Sequence, residues 1–148
     1  VTLPPEAPGE VRRLIINLIL DALDRWLNSL PEAPLTKGRR AVRHVCLVDE
    51  AHVVLASGLP ALGNLIRMSR SKGGVVMLVS QSPNDFERED DAFLDNVGLT
   101  LAFNTNAKAG PTARIFGRGH TLTTLGPGEA LCRIRTEAKT RRIVAWRP

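Results

Sequence analysis

The chain is 148 residues long and 43% hydrophobic, enough for one globular domain with a real core and too short for two comfortable ones. Its formal charge of +5 and pI near 10 rest on sixteen Arg and only four Lys, a surplus that attracts phosphates without choosing between nucleic acid and nucleotide. These totals exclude an acidic chain, and Asp21, Asp24 and Arg25 interrupt the longest apolar run, so no segment meets the roughly 20-residue requirement of a membrane span.

Residues 1–10, "VTLPPEAPGE", are Pro-rich and read as a lead-in from something earlier; three prolines and two acids replace the basic start and apolar core of a secretory signal. From Val11 through Leu14, Ile15, Leu18, Ile19, Ala22, Leu23, Trp26 and Leu27 to Leu30, apolar residues recur at three- and four-residue spacing. A long amphipathic helix over 9–30, stopped by Pro31, is the prediction. Residues 31–41 follow as a polar loop carrying Pro, Gly and three basic residues.

"VRHVCLVDE" reads as a strand whose continuous apolar end predicts cover on both faces. Pro60 starts a second helix through Leu62, Leu65, Ile66 and Met68 to about Ser71, ended by Gly73-Gly74. "VVMLVSQSP" is another buried strand, "EREDDAFLDNV" a short acidic helix, "GLTLAFNT" a third strand and "PTARIFG" a brief helix. Residues 128–146 alternate and turn around Thr136 to Lys139, a terminal antiparallel hairpin. Strands alternating with helices predict an α/β fold with a mostly parallel sheet, which binds ligands beyond the carboxyl ends of its strands.

Asp49, Glu50 and Gln81 fall at such ends. Adjacent carboxylates can divide two tasks: Asp49 supplies the hard oxygen that Mg²⁺ prefers, and Glu50 orients or deprotonates an attacking water. The plainer alternative is a solvated Asp-Glu pair at a strand terminus. Gln81, between Ser80 and Ser82, can sense a phosphate or hold that water, or else belong to a turn before Pro83. Arg67 and Arg70, three apart on the second helix, share a face suited to phosphate oxygens, with Lys72 just beyond; a solvated basic helix end is the alternative. His44, His52 and His120 have no triad or metal spacing. "GRGH" at 117–120 and "GPG" at 126–128 lack the flanking strand and helix of a phosphate loop. Cys46 and Cys132 sit in apolar β-like runs and read as small buried hydrophobes of a reducing compartment, with a disulfide between them as the alternative.

Taken in order, "VRRLIINLILDALDRWL", "VCLVDEAH", "LIRMSRSKGGVVMLVSQSPNDF", "NVGLTLAFNTN" and "LGPGEALCRI" resemble the carboxyl-terminal half of HerA/FtsK-type motor ATPases over nearly the whole chain. The lack of a secretory signal and of a membrane span makes a cytoplasmic protein the expectation, and the resemblance implies a RecA-like sheet flanked by helices, a partial domain spanning 1–148, and a hexameric ring that hydrolyses ATP with Mg²⁺ to move DNA. It implies Asp49 as the magnesium-side Walker B acid, Glu50 as the catalytic glutamate, Gln81 as the nucleotide sensor, and Arg67 or Arg70 as an arginine acting on a neighbour's site. It also implies work beside a nuclease or in restriction of foreign DNA, including systems that read phosphorothioate-modified DNA. The departure is the phosphate-cradling G-x-x-x-x-G-K-S/T loop, which occurs nowhere in these residues. The expectation is therefore a chain that begins after the first half of such a motor; a RecA-like binding or assembly module without hydrolysis is the alternative.

Overall fold

The computed structural model describes residues 6–58, 60–89, 91–137 and 139–145; residues 1–5 of the Pro-rich lead-in and the end of the expected hairpin at Trp146 lie outside them. The chain divides into two compact units, Val1–Val79 and Ser80–Pro148.

The first unit opens with α1 (Gly9–Ser29), close to the expected bounds. Leu30 takes the extended backbone that a following proline demands (ψ 148°), and its carbonyl accepts a hydrogen bond from Lys72 Nζ at 2.8 Å. A cation on a carbonyl at the end of a helix also complements the macrodipole. The buried residues of α1 are Leu20 and Leu27, while Leu14, Leu18 and Trp26 face outward. The expected stripe contained Leu27 and omitted Leu20. Residues 14–20 are apolar almost all round the helix, so spacing alone does not select the buried face.

Strands β1 (Leu35–Thr36) and β2 (Arg39–Arg40) form a small antiparallel ribbon within the expected loop. Its two-residue turn has positive φ at both Lys37 (50°) and Gly38 (74°), the twist that tight hairpins require. Next come β3 (His44–Val48), α2 (Ala51–Leu55), α3 (Pro60–Met68), a 3₁₀ turn (Ser69–Lys72) and β4 (Gly74–Leu78). Sequence reading missed α2. It found α3, whose Leu62 and Leu65 are buried as its periodicity requires.

Strands β3 and β4 pair in parallel, with Val45 opposite Val75 and Leu47 opposite Met77. These four side chains form one face of the ribbon and all are exposed, Leu47 at 60% and Met77 at 50%. Cys46, Val76 and Leu78 on the other face are half-buried. Cover on both faces, expected from the apolar runs, is thus corrected to partial cover of one face.

The entry into β4 is fixed by glycine. Gly73 has φ 79°, and a Cβ there would meet the Ala41 carbonyl oxygen at 2.5 Å and the Ala33 methyl at 2.9 Å. Its own carbonyl accepts the Arg43 amide at 2.8 Å, tying the start of β4 to the segment before β3. Left-handed strain and a backbone clash act together, so Gly73→Ala is expected to cost about 2 kcal/mol or more, read as a lower midpoint in urea unfolding.

The second unit contains a 3₁₀ turn (Pro83–Phe86), α4 (Asp91–Asn96), β5 (Leu99–Ala102), α5 (Ala109–Phe116), β6 (Glu129–Ile134) and β7 (Arg141–Val144). Its strands form an antiparallel sheet in the order β5-β6-β7, so the terminal hairpin is present and β5 joins it. Phe116, Leu122, Leu125 and Leu131 make the core, with Ala102, Ala107 and Ile115 packed against them. The GPGE turn before β6 is clasped by Glu129, whose carboxylate accepts the Gly126 amide at 2.5 Å and pairs with Arg142. The Arg142 guanidinium, aided by that amide, holds the Glu129 carboxyl below its usual range.

The molecule is therefore mixed α/β. Among the described residues, parallel pairing occurs only between β3 and β4, and the mostly parallel sheet expected from strand-helix alternation is replaced by that pair and antiparallel elements. No helix among the described residues is long and apolar enough to cross a membrane.

Candidate functional site

Strand β3 ends at Val48, and the bend beyond it presents the acid pair. Two backbone hydrogen bonds hold this end: Val79 N–H to the Val48 carbonyl at 2.9 Å, and Ala51 N–H to the Val79 carbonyl at 2.8 Å. Ala51 is fully buried, so the turn is anchored directly behind the carboxylates. Asp49 and Glu50 themselves are exposed. They lie in a strand-to-helix turn and not on a continuing strand, and their directions are set by that turn.

Glu50 has φ 50° and ψ 47°, a left-handed conformation uncommon outside glycine and asparagine. Asp49 Oδ1 accepts the Glu50 amide at 2.9 Å, which steadies this backbone. Glu50 Oε2 lies 3.2 Å from His52 Nδ1. Sequence reading set His52 apart from any site, because its surroundings offer no triad or metal spacing. The left-handed residue before α2 brings the two side chains together, and no sequence signal announced that conformation.

Arg67 is in the last turn of α3, and Arg70 is in the 3₁₀ turn that follows. Both are exposed, and no ion pair with a described residue engages either guanidinium. Lys72, by contrast, is committed to the Leu30 carbonyl. The arginines precede β4 while the acids follow β3, and the strands are parallel, so the two sets lie toward opposite ends of the ribbon. Five strand residues span roughly 16 Å. The structure does not bring these arginines onto the acid pair of their own chain.

Gln81 belongs to the second unit. It is exposed, and its carbonyl accepts the Thr105 hydroxyl at 3.2 Å. Its serine neighbours have structural tasks: Ser80 Oγ donates to Asp85 at 2.5 Å, and Ser82 caps the 3₁₀ turn through the Asn84 amide while Asp85 reciprocates at the Ser82 amide. The turn before Pro83 thus accounts for both serines.

As for metal, no three His, Cys, Asp or Glu side chains converge on one point among the described residues. Asp49 alone still fits Mg²⁺, which commonly takes one or two protein carboxylates and completes its shell with substrate phosphates and water. Cys46 and Cys132 are free thiols, half-buried where full burial was expected, and burial raises the Cys46 pKa, which keeps that thiol protonated and unreactive. No protein-family model matches the chain, and no curated protein matches it.

Proposed function

We propose that this chain carries the acid-bearing half of an ATP-hydrolysing site, as the carboxyl-terminal half of a HerA/FtsK-like, RecA-related DNA translocase working in DNA processing or restriction of foreign DNA. The observation that carries the reading is the anchored turn at the end of β3, where two exposed carboxylates stand side by side and Glu50 is held in a left-handed backbone conformation. Strained residues persist where the surroundings over-determine them, and they concentrate at functional sites.

In this reading Asp49 is the single protein carboxylate toward Mg²⁺, whose role is to neutralise charge on the transferring phosphoryl group. Glu50 accepts the proton of the attacking water or orients that water. Gln81 senses the nucleotide. Arg67 or Arg70 reaches a neighbouring subunit's phosphates, a role favoured by their position away from their own acid pair. A ring of such subunits, hexameric in the families the sequence resembles, encloses DNA and couples hydrolysis to its movement.

The phosphate cradle has to come from outside these residues, since backbone amides and a lysine supply most of the grip on a nucleotide. The 148-residue chain by itself is accordingly expected neither to bind Mg·ATP tightly nor to hydrolyse it. Calorimetric titration with Mg·ATP and a phosphate-release assay check this. Micromolar binding with steady turnover by the isolated chain would overturn the reading. A gene with no G-x-x-x-x-G-K-S/T codons before Val1, and no companion subunit carrying that loop, would favour the non-hydrolysing module.

A further inference from the structure

A second site is suggested by arginines that the ATPase reading leaves unused. On β6 the side chains of Leu131 and Arg133 follow one another on one side of the strand, and Arg135 lies in the turn just beyond its end. Leu131 packs in the core that α5 covers through Phe116. Beyond it, Arg133 and Arg135 line a cavity closed by residues of α4, β5 and α5. Thr100, the cross-strand partner of Arg133, adds a hydroxyl to the same lining, and Arg135 N–H is tied to the Gly98 carbonyl at 3.0 Å.

Arg114 supplies a third guanidinium. It is fixed from behind, donating through Nη1 to the Glu87 carbonyl at 3.3 Å and through Nη2 to the Glu89 carbonyl at 2.5 Å. Among the described residues, Asp95 is the acid of a lining that also carries Arg133 and Arg135. Among the described residues, no ion pair joins Arg133 or Arg135 to a carboxylate. Arg133 is nonetheless half-buried. A half-buried guanidinium that shares a lining with a second one is disfavoured by desolvation and like charge, and an oxyanion relieves that cost while matching their planar forks.

A neighbouring groove shares Leu94, Arg114 and Ile115 with this cavity and adds the apolar surfaces of Phe86 and Pro111. One ligand can therefore set an anionic end against the arginines and an apolar body against the Phe86 side. We infer that the second unit holds a binding site for a small phosphate monoester with a flat apolar body, the phosphate held by Arg133 and Arg135. The site shares no residue with the acid pair at Asp49 and Glu50, and it does not depend on the ATPase reading.

The test uses the full chain and two probes, phenyl phosphate and inorganic phosphate, followed by calorimetry and by amide shifts at Thr100 and Ile115. Phenyl phosphate is expected to bind the more tightly. Arg133→Gln/Arg135→Gln should weaken it by about tenfold or more, as loss of charge-assisted hydrogen bonds implies. Arg13→Gln/Arg118→Gln removes the same charge from exposed positions elsewhere and should leave the affinity within about twofold, since distant surface charges are screened. Arg135→Gln alone, at an exposed residue, guards against a double variant that fails to fold, and should still weaken binding severalfold. Equal losses in both double variants would mean diffuse attraction and overturn the site. So would an unchanged affinity in Arg135→Gln, or duplex DNA binding through Arg133 and Arg135 that phenyl phosphate does not displace.

Discussion

If the chain is the acid-bearing half proposed above, Glu50→Gln in the protein joined to a phosphate loop is expected to leave Mg·ATP binding intact and to cut turnover by roughly 10²–10⁴-fold, the usual contribution of a general base. The substitution keeps size and hydrogen-bonding reach while removing the oxygen that would take the proton. Its backbone suggests a companion variant. Glu50 sits at φ 50°, where a residue with a Cβ is strained and glycine is not, so Glu50→Gly should abolish turnover while raising stability by up to about 1 kcal/mol. Opposite signs for activity and stability at one residue distinguish a strained functional position from an ordinary surface glutamate. Single-turnover kinetics and chemical denaturation of the two variants measure both. Turnover unchanged in Glu50→Gln would remove Glu50 from the mechanism, and a loss of stability in Glu50→Gly would mean that its conformation carries no strain.

What the sequence revealed about this region, and what it hid, follows from the range of the forces involved. Local signals were readable: Pro31 ending α1, Pro60 opening α3, and the glycine pair at the entry to β4, where Gly73 is required by φ and by the nearness of the Ala41 carbonyl. The acid pair was legible as chemistry because two carboxylates ending an apolar run are visible in one line of residues. Its geometry was not. Glu50's left-handed backbone, and with it the approach of His52, depends on α2 beginning at Ala51 and on Ala51 bonding to Val79, a residue 28 positions away. Long-range partners also decided the sheets. The runs at 44–48 and 74–78 look the same whether both faces or one are covered, and β5 gives no local sign that it will pair antiparallel with β6. The phosphate-monoester cavity was hidden for the same reason. Arg114 is 19 residues from Arg133, and only the register of β5 on β6 and the packing of α5 bring them to one lining.

The arginines of the α3 end give the second large effect expected. An arginine that completes a phosphoryl-transfer site commonly contributes about 10³–10⁵ in rate, so Arg67→Ala or Arg70→Ala, whichever acts, should lower turnover by that order while nucleotide binding persists. Position argues that the effect is exerted on a neighbour. The guanidinium groups precede β4, the acids follow β3, and the roughly 16 Å of strand between those ends exceeds the reach of an arginine side chain. Mixing makes this measurable: an Arg67→Ala/Arg70→Ala subunit retains its own Glu50, and a Glu50→Gln subunit retains its arginines. At an interface where the second subunit's arginine meets the first subunit's glutamate, one intact site is rebuilt, so mixtures should regain turnover that neither variant has alone. A pair acting within one chain gives no such recovery, because every subunit in the mixture lacks one of its two groups. Mixtures as inactive as their components would therefore assign the arginines to their own chain, and single and double arginine variants as active as the unaltered protein would return Arg67 and Arg70 to the solvated surface.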